Sequence, residues 1–327
     1  MVLTVHHKQR IDEIVDLNLC FSNLTANDFV LAISSWSAKH VANSIFAREV
    51  KTTTCMNSLL YITWNVDPIL FEVGPLSIRW YGLLFASGFF CGHFIMQKIL
   101  DREGFSKEWM DSLLLYMMVG TILGARLGHV FFYQWDYYQD NLGEILQVWK
   151  GGLASHGAAI GIILSLFLWS RKVSKKSLLW ILDRIVITVA LAGMFIRLGN
   201  LMNHEIVGAP TDVSWAFLFT HAGFAELVPR HPAQIYEAIA YVLIFIFLGF
   251  LYLKREAGTR QGLLFGTFLV MIFGARFVLE FYKEIQVSFE QTMALNMGQW
   301  LSIPLVLGGL FFIIRSFRNK KTDPELQ

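Results

Sequence analysis

The sequence predicts an all-α polytopic membrane protein of seven transmembrane helices, with the N-terminus out and the C-terminus cytoplasmic. Three observations carry that expectation. Of 327 residues, 55% are hydrophobic and only 16% charged, and the mean hydropathy is +0.49. A water-soluble chain needs more polar surface than this to cover itself. Seven apolar segments recur, each long enough to cross ~30 Å of hydrocarbon at ~1.5 Å per residue. The lysines and arginines between them gather on alternate loops, as the positive-inside tendency requires.

The chain does not begin with a span. Residues 1–55 mix polar residues with charges of both signs, and Asp12, Glu13 and Asp16 stand where the apolar stretch of a signal peptide would have to be. Met56 stands just ahead of the apolar body. We expect residues 1–55 to be an N-terminal extension with no chemistry, upstream of a natural start at Met56. Residues 56–320 are then a seven-helix membrane domain and 321–327 a tail.

The seven segments run over residues 75–100, 110–133, 151–170, 177–199, 232–253, 261–282 and 298–315. Only helices suit them, because they are too long and too uniformly apolar for barrel strands, and a helix satisfies its own backbone in lipid. Gly120, Gly124 and Gly128 recur every fourth residue in the second segment and read as helix-packing glycines. The longest polar interval, 200–231, is where a small extracytoplasmic elaboration is expected.

The basic loops set the orientation. Lys98, Arg102 and Lys107 follow the first span, Arg171, Lys172, Lys175 and Lys176 the third, Lys254, Arg255 and Arg260 the fifth, and Arg315, Arg318, Lys320 and Lys321 the seventh. The loops at 134–150 and 283–297 are poor in positives. All basic loops therefore share one side, the cytoplasmic one. Topology accounts for them, and no nucleic-acid partner is expected. Cys20, Cys55 and Cys91 are too few and too scattered for a disulfide framework. No metal or other cofactor is expected, since no His/Asp/Glu cluster has ligand spacing.

Charged side chains inside a span cost at least ~2.5–3.5 kcal/mol at mid-bilayer and need a reason. Arg79 and Tyr81 open the first span, and Arg126 and His129 lie near the end of the second. Ser155 and His156 begin the third, and Arg197 and Asn200 end the fourth. His231, Gln234, Tyr236 and Glu237 open the fifth, and Arg276 and Glu280 lie toward the end of the sixth. Singly, each has a bland reading: Arg79 as a snorkelling anchor, Arg276 and Glu280 as an i,i+4 ion pair, and Asp183 and Arg184, at the opposite depth, as structural residues. Together, six groups fall in the outer third of the bilayer. They predict a polar, arginine-rich cavity open to the outer leaflet. Because arginine binds phosphate oxygens through a planar fork and keeps its charge, an anionic lipid headgroup is the expected ligand. A transporter or binding protein for such a lipid is the alternative, although the polar residues do not run through the whole depth of the bilayer.

Four motifs add a resemblance. Arg197-Leu198-Gly199-Asn200-Leu201-Met202-Asn203-His204-Glu205-Ile206-Val207-Gly208 closely resembles the signature of the prolipoprotein diacylglyceryl transferases. Ile78-Arg79-Trp80-Tyr81-Gly82 is similar to that family's first-span motif. Gly151-Gly152-Leu153-Ala154-Ser155-His156-Gly157 is similar to its third-span motif, and His231-Pro232-Ala233-Gln234-Ile235-Tyr236-Glu237 to the start of its fifth. The resemblance covers residues 56–315 in order. It departs at Ile272 and His129, where tyrosines are common, and residues 1–55 have no counterpart.

The resemblance implies a multi-pass bacterial inner-membrane enzyme, with its site toward the periplasmic leaflet. The enzyme transfers the diacylglyceryl group of phosphatidylglycerol to the thiol of a lipobox cysteine in a prolipoprotein, forming a thioether and releasing glycerol phosphate. It implies catalytic roles for His156, Arg197, Asn200, Glu205 and Arg276. Tyr81, Gly208, Gln234, Tyr236, Glu280 and Arg126, together with Arg197, are the expected lipid contacts. In that scheme His156 takes the thiol proton, Arg197 and Arg276 hold the phosphate, and Asn200 and Glu205 orient them.

Overall fold

The computed structural model describes residues 61–74, 76–224, 226–254, 260–284 and 293–318. The expected extension (1–55), Met56 and the tail (321–327) lie outside the described residues. Among the described residues, seven helices are long and apolar enough to cross a membrane, the third running on through its end turn to Ser174 and the sixth to Tyr282, in line with the seven expected spans. They are α1 (Trp80–Arg102), α2 (Lys107–Tyr133), α3 (Ser155–Trp169), α4 (Leu178–Met202), α5 (Ala233–Lys254), α6 (Leu263–Leu279) and α7 (Met297–Arg318).

Two helix starts differ from expectation, each for a local reason. Leu76–Arg79 is strand β3, paired antiparallel with β2 (Ile69–Val73). The chain reverses at Gly74, whose φ of +59° suits glycine. The first span therefore starts at Trp80, and Arg79 is the last residue of a hairpin. The third starts at Ser155 because Gly151 and Gly152 hold φ of +81° and +71° and cannot continue a right-handed helix. At its other end α3 continues as a π-turn over Ser170–Ser174.

Close glycine contacts organise the packing. Gly120, Gly124 and Gly128 of α2 face Gly157 and Gly161 of α3, and a Cβ at Gly124 would collide with the Gly157 carbonyl. Small residues let backbones approach closely where lipid supplies no hydrophobic drive. Gly266 of α6 meets Gly309 of α7 in the same way. The most buried of the seven helices is α4, which packs against α1, α5 and α6.

The two ends of the helices differ chemically. At the start of α4, Asp183 is fully buried and accepts from the backbone N–H of Gly262 (2.6 Å) and Phe265 (2.8 Å). It thus caps the first turn of α6, where free N–H groups and the helix dipole favour an anion. Next to it, Arg184 donates to Glu103 (2.8 Å) and lies over the Trp180 ring, while the Tyr252 hydroxyl donates to the same carboxylate (2.7 Å). The structural reading of Asp183 and Arg184 holds.

The other end carries the strands. β1 (Ile62–Trp64) runs parallel to β4 (Phe217–Phe219), and the Trp64 indole donates to the Leu201 carbonyl at 3.0 Å, tying this sheet to the end of α4. A small core of Leu201, Val207, Phe217 and Phe219 fills the space beneath. The elaboration thus draws on residues 61–79 as well as 203–232.

Candidate active site

The last turns of α4 present Arg197 and Asn200 three residues apart, hence on one face. The Arg197 guanidinium donates to the Asn200 side-chain oxygen at 3.2 Å, and the Asn200 amide donates to a Glu205 carboxylate oxygen at 3.3 Å. Asn203 donates to the other Glu205 oxygen at 3.3 Å. The expected trio Arg197, Asn200 and Glu205 is one hydrogen-bonded chain.

The loop that turns Glu205 back toward Asn200 is strained. His204 and Ile206 both have φ of +55°, a region non-glycine residues rarely adopt. Several bonds hold it there. The Glu205 N–H donates to the Asn200 carbonyl at 2.9 Å, and Gln234 donates to the Glu205 carbonyl at 2.6 Å. The buried His204 imidazole bonds the Val66 carbonyl at 2.9 Å. A carbonyl only accepts, so Nε2 carries the proton and the neutral ring fits. Burial holds this imidazole below its ordinary range, against the opposing pull of the Val66 carbonyl.

The first turns of α5 supply the counter-charge. Glu237 is fully buried, with Arg197 Nε at 2.9 Å from one oxygen and Lys283 Nζ at 3.0 Å from the other. Neither oxygen accepts an aligned hydrogen bond, so charge rather than bond geometry holds the three together. Lys283 also pairs with Glu280 at 3.2 Å. Sequence reasoning placed Glu237 in the membrane but gave it no role, and counted Lys283 only as a loop charge. The available signal was spacing: Glu237 follows Gln234, and Lys283 follows Glu280, by three residues. Tyr241, one turn beyond Glu237, also stands beside the Arg197 guanidinium.

Glycines make room for the rings here. A Cβ on Gly199 would lie 2.8 Å from the Tyr81 ring, and one on Gly193 2.6 Å from Tyr241. Gly208 is buried where the 206–210, 230–231 and 282–283 segments meet. Its N–H donates to the His231 carbonyl at 3.0 Å, and any side chain would strike His231 or the Tyr282 carbonyl. Its place in the fold is a backbone crossing.

Other expected residues are not brought into this cluster. Arg126 is fully buried and donates to the carbonyls of Ile145 (2.7 Å), Glu144 (2.7 Å) and Gly151 (2.5 Å), with Tyr138 stacked on its guanidinium. Its donors hold the 134–152 loop. Tyr236 accepts from the Trp215 indole (2.7 Å) and meets His231 (3.1 Å). Glu280 pairs with Lys283, and Arg276, four residues before it, is half-buried with no ion pair among the described residues. His156 is exposed in the first turn of α3 and makes no hydrogen bond among the described residues; its neighbour Ser155 borders the cavity described next.

That cavity holds about 510 Å³ and begins at Arg197 and Tyr81. Among the described residues Arg197 is the one charged residue on its wall, so this space is apolar with one arginine at its rim and is distinct in character from the arginine-rich polar cavity expected from sequence. Along α1 its lining runs from Tyr81 to Met96, which is about 22 Å of helix. The hydroxyls of Thr121 and Thr188 on the wall bond back to carbonyls of their own helices, leaving the surface apolar.

Comparison with known proteins adds a family likeness. The profile of the family described as "Prolipoprotein diacylglyceryl transferase" matches residues 68–315. A Chloroherpeton thalassium protein named phosphatidylglycerol--prolipoprotein diacylglyceryl transferase is 47% identical over 268 residues, 82% of this chain and 99% of its own length. Proteins of the same name from Tolumonas auensis (45%; 79% of this chain, 98% of its own) and Porphyromonas gingivalis (46%; 80% and 97%) are similar to nearly the same extent.

Proposed function

Since this chain belongs to the prolipoprotein diacylglyceryl transferase family, we propose that it transfers the diacylglyceryl group of phosphatidylglycerol to the lipobox cysteine of a prolipoprotein, the first step of lipoprotein maturation. It is a transferase and a multi-pass membrane protein of the bacterial type. One observation carries the site assignment: a single arginine, oriented by Glu237 and Asn200, stands where an apolar cavity meets the polar end of the helices. A diacyl phospholipid has this polarity, an anionic head on alkyl chains.

In the proposed complex the acyl chains lie along the cavity and the phosphate sits at Arg197. Arg197 uses Nε on Glu237, one terminal nitrogen on Asn200 and a further contact on Tyr241, so the N–H groups left over serve the phosphate. Tyr81 borders the same space. Gln234 has its side-chain nitrogen on the Glu205 carbonyl, while its side-chain oxygen is buried without a partner among the described residues. We assign that oxygen to a hydroxyl of the glycerol headgroup. The substrate thiolate attacks the glyceryl carbon that carries the phosphate ester oxygen. A C–S bond forms, that C–O bond breaks, and glycerol phosphate leaves with the electron pair. Arg197 stabilises the charge on the departing phosphate, with Arg276 as a second cation. His156 takes the thiol proton, because a neutral imidazole suits a thiol of pKa ~8.5. Glu205, Asn200 and Glu280 orient the cations. Tyr236 and Gly208 shape the wall behind Gln234, and Arg126 fixes the loop leading to α3.

The strand-bearing end faces the outside of the inner membrane, and the basic loops face the cytoplasm. The test uses purified full-length protein with phosphatidylglycerol and a lipobox peptide, read by mass spectrometry. Wild type yields a diacylglyceryl thioether on the peptide cysteine. Arg197→Lys lowers turnover roughly ten- to hundred-fold, because one ammonium replaces a fork whose charge-assisted bonds are worth about 1.5–3 kcal/mol each. Undiminished turnover would exclude the phosphate clamp. An unchanged rate and pH profile in His156→Gln would remove His156 from the proton transfer.

A further inference from the structure

We infer that the closed end of the apolar cavity is an acyl-chain ruler: Met96 of α1 and Met110 of α2 set the longest acyl chain the donor lipid can carry. The inference rests on the transferase reading above and specifies its lipid substrate.

The cavity is deep and it ends. From Tyr81 to Met96 it follows α1 for about 22 Å, and from Arg197 back to Ile185 it follows α4 for about 18 Å. Both are a large part of the ~30 Å hydrocarbon thickness. At the far end, Met96 and Met110 are almost completely buried, so they seal the floor rather than line an exit. His93, also on the wall, has Nδ1 buried without a partner among the described residues, and an alkyl tail could not satisfy it.

The membrane setting determines the form of the selectivity. A tail entering from the bilayer leaves an environment already as apolar as the cavity, so each methylene gains little from transfer. Discrimination comes from fit. Chains that stop short of the floor differ little in rate. A chain that outruns it must kink, or withdraw its head from Arg197, and interiors resist overpacking by even one or two methylenes. A plateau with a sharp upper limit follows, with about tenfold discrimination beyond the limit.

The experiment is an internal competition. Purified full-length protein receives a lipobox peptide and an equimolar mixture of phosphatidylglycerols, each with two identical saturated chains, running from shorter to longer than palmitoyl. Mass spectrometry reads the chain lengths on the peptide product. Met96→Ala and Met110→Ala each remove three heavy atoms from the floor and extend the product distribution upward by about two or three methylenes. Leu114→Trp, on the same part of the wall, cuts it back. Ratios within one reaction are independent of how much enzyme is folded, and two separate opening variants guard against loss of either one. Superimposable distributions in all variants, with adduct formed, would overturn the ruler and leave the transferase reading intact. No adduct from wild type would overturn that reading, and the ruler with it.

Discussion

Replacing Glu237 by glutamine isolates one charge at the centre of the site. The side chain keeps its shape and its capacity to hydrogen-bond, but Arg197 and Lys283 lose the carboxylate that lies 2.9 and 3.0 Å from them. Lys283 retains Glu280 at 3.2 Å. Arg197 retains only neutral partners, the Asn200 oxygen and Tyr241, and with 13% of its side chain exposed, water cannot fully replace the lost charge. Breaking a buried pair costs about 3–5 kcal/mol because the orphaned cation stays buried. At about 2 °C per kcal/mol for a chain of this size, the melting temperature falls by about 6–10 °C. Turnover falls too, since Arg197 loses the partner that aims it. Thermal unfolding in detergent and single-turnover adduct formation read the two effects separately. The double variant Glu237→Gln/Lys283→Met removes one of the two cations with the carboxylate, so it should melt above the value expected from adding the two single effects. If Glu237→Gln melts and turns over like wild type, or if the double variant is simply additive, the charge-based account of this cluster is wrong.

Arg126→Ala should cost about 3 kcal/mol, because three part-buried carbonyls lose their donor. Proteolysis within 134–152 should accelerate while turnover per folded molecule survives, whereas a role in binding phosphate would abolish turnover. Gly199→Ala places a methyl 2.8 Å from the Tyr81 ring. We expect a raised KM for the donor lipid with a stability loss of no more than about 2 kcal/mol, since alanine recovers ~1 kcal/mol of helix propensity; an unchanged KM would separate Tyr81 from the lipid. Burial depresses the His204 pKa in the folded state, so below the ordinary value of ~6.5 the unfolded chain takes up a proton that the folded chain resists. Stability is therefore full above pH ~6.5 and declines as pH falls toward the depressed value. His204→Asn, which tolerates a positive φ, should flatten that decline in a series of melting curves, and an equal slope in wild type and variant would place its origin elsewhere.

The sequence by itself determined the seven helices and their chemical polarity, because apolar length and loop charge act locally and need no partner to be read. The resemblance of one motif to a known family also grouped Arg197, Asn200 and Glu205, which lie within nine residues and join in one hydrogen-bonded chain. Only the tertiary structure separated Arg126 from Arg197. Both are arginines near a helix end, but one meets a returning loop of carbonyls and the other meets a carboxylate from α5. Lys283 became a site residue only when its segment crossed Gly208 and reached Glu237. The apolar cavity was hidden for the same reason: helical periodicity shows which residues share a face, but the space between faces depends on how closely the helices approach. That approach is set by contacts between glycines, rings and carbonyls far apart in the chain.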